Sequence, residues 1–330
     1  MKRISVTCPY RISFTGGGTD IPPFPEMYGG RVINATIDRG IRLEYVDDGQ
    51  PLEISSRDLL KSWSFSKKVH NSFMEGIATL LKARGVVSGR ISISGDVPPG
   101  TGLGTSSSLV LGLIQIEKVL NGKELMREEL AKEAYDVERN FFGATLGWQD
   151  PFAIAFGGFK YFEFSGSNFT MEAFDYRSYI VQQIEKSTLM VYTGSSHNSS
   201  DELQGEVSKL KEGSTVIIKR LLDIKRNTEE ARKAIKESDF HKFATLVDDG
   251  WRLKKALSDK ISNPNVDRLI KEAKDSGALA ARLMGGGSEG FVLILADPDN
   301  LWSVQKVMME HSDFVTRVSF DLAGPKVLSH

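Results

Sequence analysis

"VPPGTGLGTSSSLVLGLI", residues 97 to 114, is the stretch on which the reading of this chain turns. The preceding "RISISGD" alternates as a strand does, and the apolar run that follows has helical length. Between them two prolines stiffen the approach and Gly100, Gly102 and Gly104 remove side chains. Thr105, Ser106 and Ser107 then open the helix. Such a loop bares several backbone N–H groups at a helix N-terminus, which makes an anion site. The hydroxyls can cap the helix, donate to phosphate oxygens or ligate Mg²⁺. No G-x-x-x-x-G-K-[ST] occurs here. "GTGLGT" also departs from G-x-G-x-x-G, and residues 123 to 140 read as helix where a dinucleotide fingerprint needs a strand. Read alone, the stretch is equally an ordinary helix entry capped by serines.

Two more glycine loops stand far away in the chain. "YRISFTGGGTD", residues 10 to 20, runs a strand into Gly16–Gly18 and then Thr19 and Asp20. "LMGGGSEGF", residues 283 to 291, puts Gly285–Gly287 and Gly290 before a buried strand. A Gly-rich turn between two elements needs no ligand by itself.

With 330 residues the chain exceeds the usual size of one hydrophobic core, so two domains are expected. Its 42 basic and 43 acidic residues balance to −1, which gives no overall reason to expect nucleic acid or an anionic membrane as partner. One cysteine, Cys8, excludes an intrachain disulfide and a four-thiolate zinc site. No apolar run has signal-peptide or membrane-spanning length, so a cytoplasmic soluble protein is expected.

The first ninety residues read mainly as strands and turns, including "RISVTCPYRISF" and "GGRVINATIDRGIRLEYV". Helical spacing covers 67–85, the run from Ser106, and "MREELAKEAYDVERNFFG". "GGFKYFEFSGSNFTMEAF" reads as a hairpin and "STLMVYTG" as a buried strand; from Asp201 to about Ser258 the pattern is helical with a solvated charged face. "GALAARLMGGGSEGFVLILAD" reads as helix, turn, buried strand. One further helix and strand are expected at the end. The boundary is expected in the polar stretch between 165 and 185, dividing the chain into 1–170 and 171–330.

Three glycine motifs in this order resemble those of the GHMP small-molecule kinases: "CPYRISFTGGGTD" the first, "PPGTGLGTSSS" the second and "LMGGGSEGF" the third. The resemblance extends from about residue 5 to 323. Phrases such as "VINATIDRG", "GWQDPFAIAFGGF", "VYTGSSHNSSDEL" and "LKKALSDKISNPNVDRL" are similar to the branch that phosphorylates D-glycero-D-manno-heptose phosphates. The resemblance implies an α+β fold of two domains, the N-terminal one like domain 2 of ribosomal protein S5 and the C-terminal one a ferredoxin-like α/β sandwich. It implies ATP and Mg²⁺ as cofactors, and a monomer or homodimer acting on a small-molecule acceptor. The acceptor implied is heptose 7-phosphate at its anomeric oxygen; a free sugar or a mevalonate-type precursor such as mevalonate 3-phosphate is the alternative. Relatives also include a decarboxylase of mevalonate diphosphate.

Carried over residue by residue, the likeness gives the nucleotide Pro99, Gly100, Gly102, Leu103, Gly104, Thr105, Ser106 and Ser107. Ser106 and Glu138 match the metal's hydroxyl and carboxylate ligands. Asp150 matches the catalytic aspartate, and Arg11 the cation that would orient it and favour its ionised form. Read without the likeness, Glu138 is a solvent-facing glutamate, Arg11 a strand-edge arginine, and Asp150 before Pro151 a helix N-cap. Gly17, Gly18, Thr19, Asp20, Gly286 and Gly287 fall to the acceptor. So do His197 and Ser199, at a helix start where Ser199 and Glu202 also fit a capping box. Arg252, Lys254 and Lys255 are secondary candidates for an acceptor phosphate. Ser288 and Glu289 stand where that branch tends to carry small residues.

Overall fold

The computed structural model of the chain describes residues 2–57, 61–64, 72–195 and 200–329. The first half runs β1 (Arg3–Thr15), α1 (Phe24–Tyr28), β2 (Gly30–Pro51), β3 (Glu53–Ser56), β4 (Lys61–Ser64), α2 (Ser72–Ala83), β5 (Ser88–Gly95), α3 (Thr105–Leu120), α4 (Arg127–Asp136), α5 (Gln149–Phe156), β6 (Phe159–Ser165) and β7 (Asn168–Ala173). The second runs α6 (Tyr179–Lys186), β8 (Thr188–Tyr192), α7 (Ser200–Lys211), α8 (Thr215–Lys236), α9 (Phe240–Lys255), α10 (Pro264–Asp275), β9 (Ala280–Leu283), β10 (Phe291–Leu295), α11 (Leu301–Met309), β11 (Val315–Arg317) and β12 (Lys326–Ser329).

The larger sheet has the order β12-β1-β2-β5-β3-β4. β2 is long enough to hold β1 along one edge and, on the other, β5 at one end and the β6–β7 hairpin at the other. Buried residues alternate at period two over Arg3–Cys8 of β1 and Ile41–Val46 of β2, as in a half-covered sheet, whereas Cys8–Thr15 and Val32–Ile37 are buried on both sides. α3 and α5 close one face, Leu109–Ile114 entering the same core as Ile12, Phe14 and Leu43. The smaller sheet is antiparallel throughout in the order β11-β8-β10-β9, the ferredoxin-like arrangement, with a second core of its own. α9 packs against both β9 and β1 and so joins the two layers. The expected division at 170/171 falls inside β7, and β12 returns to pair with β1.

Two elements differ from expectation. "GALAARLM" contains a strand, β9, in place of a helix. Alanine favours helix as a propensity, but here Ala280 and Met284 enter the larger core while Ala281 and Leu283 enter the smaller one. That two-sided burial imposes period two. The helix through residue 143 also breaks: after Asp136 the backbone passes into a single π-helical stretch, Val137–Phe141.

Candidate active site

A cavity of about 540 Å³ opens between the two layers, reached by all three glycine loops. β1 runs along it as a rail. From Pro9 onward β1 pairs with β2 alone among the described strands, so its other edge is available. A register shift between Pro9 and Tyr10 re-aims the strand there. The Pro9 carbonyl accepts from Ser108 Oγ at 2.8 Å, and the Arg11 N–H donates to the Leu103 carbonyl at 3.0 Å. Two strand residues thus fasten the start of α3 to the sheet.

Gly104, left-handed at φ 72°, is the N-cap of α3 and makes no side-chain cap bond. Pro99, Gly100, Gly102, Gly104, Thr105, Ser106 and Ser107 all border the cavity. Leu103 does not: its side chain is core, and its contribution is the carbonyl held by Arg11. The third loop buttresses the second. A Cβ on Gly102 would lie 2.5 Å from the Met284 carbonyl oxygen, and one on Gly285 2.5 Å from the Gly102 Cα. Only glycine on both sides lets these backbones touch.

Beside that loop Arg11 grips Asp150 with a two-pronged contact, Nε to Oδ1 at 2.7 Å and Nη2 to Oδ2 at 2.6 Å. Its Nη1 donates to the Gly102 carbonyl. Arg11 is 4% exposed while Asp150 remains open to the cavity. A bidentate guanidinium–carboxylate pair fixes the plane of the carboxylate as well as its position. Asp150 is not the N-cap that its Pro neighbour suggests. α5 begins at Gln149 after Trp148, which leaves Asp150 inside the first turn.

Glu138 projects from the π-helical stretch and is buried, with Ser107 Oγ donating to its Oε1 at 2.5 Å. The Ser106 hydroxyl is near enough to help stabilise the charge of this carboxylate. Burial pushes Glu138 up to about 7 against the opposing pull of the two hydroxyls. Among the described residues no three His, Cys, Asp or Glu side chains gather into a metal cage. Glu138 with two hydroxyls is instead a partial, hard-oxygen set, which suits a cation that takes its remaining ligands from phosphate and water.

The first loop divides its labour. Gly17, Gly18 and Asp20 border the cavity, whereas Thr19 does not. Thr19 is fully buried, with its hydroxyl 2.8 Å from the Gly16 carbonyl and 2.9 Å from the Arg31 carbonyl while accepting from the Arg31 N–H at 2.9 Å. It fastens the turn to β2. Asp20 accepts from the Gly18 and Gln149 N–H groups at 3.1 and 3.0 Å, and burial raises its carboxyl above the ordinary value, with the Asp150 charge adding to the rise.

In the third loop Gly286 borders the cavity and Gly287 packs on Ile261. Ser288 takes φ 55°, its carbonyl held by Asn263, and neither it nor Glu289 borders the cavity. Of the three basic candidates on α9, Lys254 is buried beside the cavity and donates to the Gly285 carbonyl at 2.7 Å. Arg252 pairs with Asp248 and Asp249, and Lys255 with Asp267. His197 and Ser199 lie outside the described residues. Two cavity residues escape the sequence reading. Ser13 shares Arg11's face of β1 at period two, which is a signal that could have found it, and it donates to Gln149 Oε1 at 3.1 Å. Arg282 is hidden by the helical reading of β9.

Anion-binding amides, a carboxylate held by arginine and a partial hard-cation site in one cleft are what phosphoryl transfer needs. The chain is a phosphotransferase. Residues 71–158 match the GHMP kinases N terminal domain and residues 231–308 the GHMP kinases C terminal domain. The chain is 29% identical to D-glycero-alpha-D-manno-heptose 7-phosphate kinase of Campylobacter jejuni over 99% of both chains. It is 31% identical to mevalonate kinase of Thermococcus sibiricus over 78% of this chain and 73% of that one. A putative sugar kinase from Campylobacter jejuni superposes with a TM-score of 0.78 at 27% identity, covering 100% of this chain and 99% of the other. A D-glycero-D-manno-heptose 1-phosphate kinase from Bacteroides thetaiotaomicron, at 24% identity, shares the fold with a TM-score of 0.77 over 98% of each chain. The chain belongs to the GHMP kinase family. Among the described residues no helix is long and apolar enough to cross a membrane.

Proposed function

We propose that this kinase moves the γ-phosphoryl group of ATP to a hydroxyl of a sugar phosphate, D-glycero-D-manno-heptose 7-phosphate at its anomeric oxygen. The observation that carries the reading is the Arg11–Asp150 pair next to the Gly104 cap of α3, which brings a candidate base to the mouth of an anion site. GHMP kinases use ATP. Its phosphates would accept from the amides of residues 100–107, and its base would stack in the apolar lobe formed by Ile41, Phe73, Ile93 and Val97. Mg²⁺ held by Glu138 and the Ser106 and Ser107 hydroxyls would neutralise phosphate charge.

Asp150 orients the acceptor hydroxyl toward the γ-phosphorus. The acceptor oxygen bonds to phosphorus, the bond to the bridging oxygen breaks, and ADP leaves with that electron pair. A sugar hydroxyl is far less acidic than a carboxylic acid, so its proton passes to Asp150 late, as the new bond forms. Asp20, fixed by two amides beside Gly17 and Gly18, accepts from other acceptor hydroxyls. The heptose assignment is supported by the full-length similarity to a heptose 7-phosphate kinase. The similarity to mevalonate kinases supports a second acceptor class. ADP release across heptose phosphates, the corresponding free sugars and mevalonate derivatives tests the choice: the heptose 7-phosphate is expected to give the highest kcat/KM. Turnover confined to mevalonate compounds would overturn the assignment.

A further inference from the structure

Arg282 is the largest fully buried side chain among the described residues, at 2% exposure, and it borders the cavity. Its position follows from β9: at period two it stands between Ala280 and Met284 on the side facing the larger sheet. Nη1 donates to the Phe14 carbonyl. Nε has no partner, and no carboxylate among the described residues lies within ion-pair distance. Burial and the nearby Arg11 charge lower it to about 10, so it remains a cation at neutral pH. Removing a guanidinium from water without a counter-ion is strongly unfavourable, and a structural tether to one carbonyl does not require a charge. The arrangement is incomplete without an anion.

β1 orders the cavity from end to end. Pro9 and Arg11 hold the α3 loop, Arg11 also holds Asp150, Ser13 holds Gln149, and Phe14 holds Arg282. The strand then turns at Gly17, where a Cβ would lie 3.7 Å from Lys254 Nζ. Phe14, which holds Arg282, is three residues along β1 from Arg11, and both arginines border the same cavity as Asp150. A sugar whose reacting hydroxyl meets Asp150 has Arg282 on the same wall of that cavity for its phosphate.

We infer that Arg282, with Lys254 on the same cavity, seats the phosphate monoester of the acceptor. The inference rests on the proposed sugar-phosphate acceptor and specifies what recognises its phosphate. The nucleotide's γ-phosphate is the other source of the same chemistry, so the test separates the two.

The full chain loaded with a non-hydrolysable ATP analogue and Mg²⁺ is titrated with inorganic phosphate, and the same proteins are assayed with heptose 7-phosphate and the unphosphorylated heptose. Phosphate is expected to bind the loaded wild-type protein and to compete with heptose 7-phosphate. Arg282→Met should weaken that binding at least tenfold and raise KM for heptose 7-phosphate at least tenfold. KM for ATP should stay within twofold and KM for the free sugar unchanged; Arg282→Lys should recover most of the loss. A rise in KM for ATP with the acceptor KM unmoved would overturn the inference in favour of the γ-phosphate. Loaded wild-type protein that binds no phosphate would overturn it whatever the variants do. If heptose 7-phosphate is turned over and Arg282→Met leaves its KM alone, the inference fails while the acceptor assignment stands. Phosphate binding that depends on Arg282, in a protein that does not turn over heptose 7-phosphate, upholds the phosphate seat and overturns the heptose assignment.

Discussion

The two ends of the cavity are built from different materials. At the α3 end the donors are backbone amides, from one continuous stretch whose glycines, prolines and serines lie side by side in the chain. At the far end the donors are charged side chains delivered by α9 and β9, elements that meet β1 only through the tertiary fold. Backbone sites announce themselves in sequence because φ and side-chain volume restrict which residues can form them. Side-chain sites depend on which face of which element turns inward. On the proposed function, a loop of amides would take the triphosphate, and selection among acceptors would fall to the other end.

The strongest way to test this division is at the point between the ends. Asp150→Asn keeps the size of the side chain and one acceptor for Arg11 but removes the proton acceptor. Turnover should fall roughly 10³-fold, while nucleotide affinity measured by calorimetry stays within about twofold. Unchanged turnover would remove Asp150 from the chemistry.

Glu138→Gln probes the cation at the nucleotide end. Turnover should fall on the order of 10²-fold, and the apparent Mg²⁺ requirement should rise. The ligand-free fold should respond in the opposite sense. An acid whose value rises from 4.5 to about 7 on folding favours the native state below the lower value and loses that advantage as pH increases through the upper one. At about 1.4 kcal/mol per pH unit the span amounts to at most roughly 3–4 kcal/mol. Glu138→Gln should therefore unfold at higher temperature than wild type at pH 8, with the gain vanishing toward pH 4, as read by calorimetry without metal. A loss of stability at pH 8 would contradict the burial cost.

Gly100→Ala should produce the smallest effect and the most selective one. Gly100 is exposed and left-handed at φ 76°, and a left-handed alanine costs about 1 kcal/mol. KM for ATP should rise about tenfold with little change in the acceptor's KM, the mirror image of the Arg282 variants. Equal shifts in both would mean that the two ends are not separable.

Much of the larger sheet is legible in the sequence because its strands alternate in polarity, and the loop before α3 because its glycines recur at every second residue from 100 to 104. The legibility stops where tertiary contacts override local preference. Ala280–Leu283 has a helical composition, and only burial on both faces makes it a strand; read as a helix, the segment gives Arg282 no direction. Glu138 reaches the serines because a π-helical stretch follows Asp136, and nothing in "AYDVERNFF" marks where a helix widens. Thr19 illustrates the reverse: its motif neighbours face the cavity, but its hydroxyl satisfies backbone groups of Gly16 and Arg31. A motif fixes the turn, and the turn decides which of its residues face the ligand.

The most direct test is a crystal structure of the full chain with a non-hydrolysable ATP analogue, Mg²⁺ and heptose 7-phosphate. The expected result has triphosphate oxygens on the amides of residues 100–107, the anomeric hydroxyl within hydrogen-bond reach of Asp150, and the sugar's phosphate against Arg282. Triphosphate bound away from that loop, or an acceptor hydroxyl turned from Asp150, would contradict the division of the cavity into an amide end and a side-chain end.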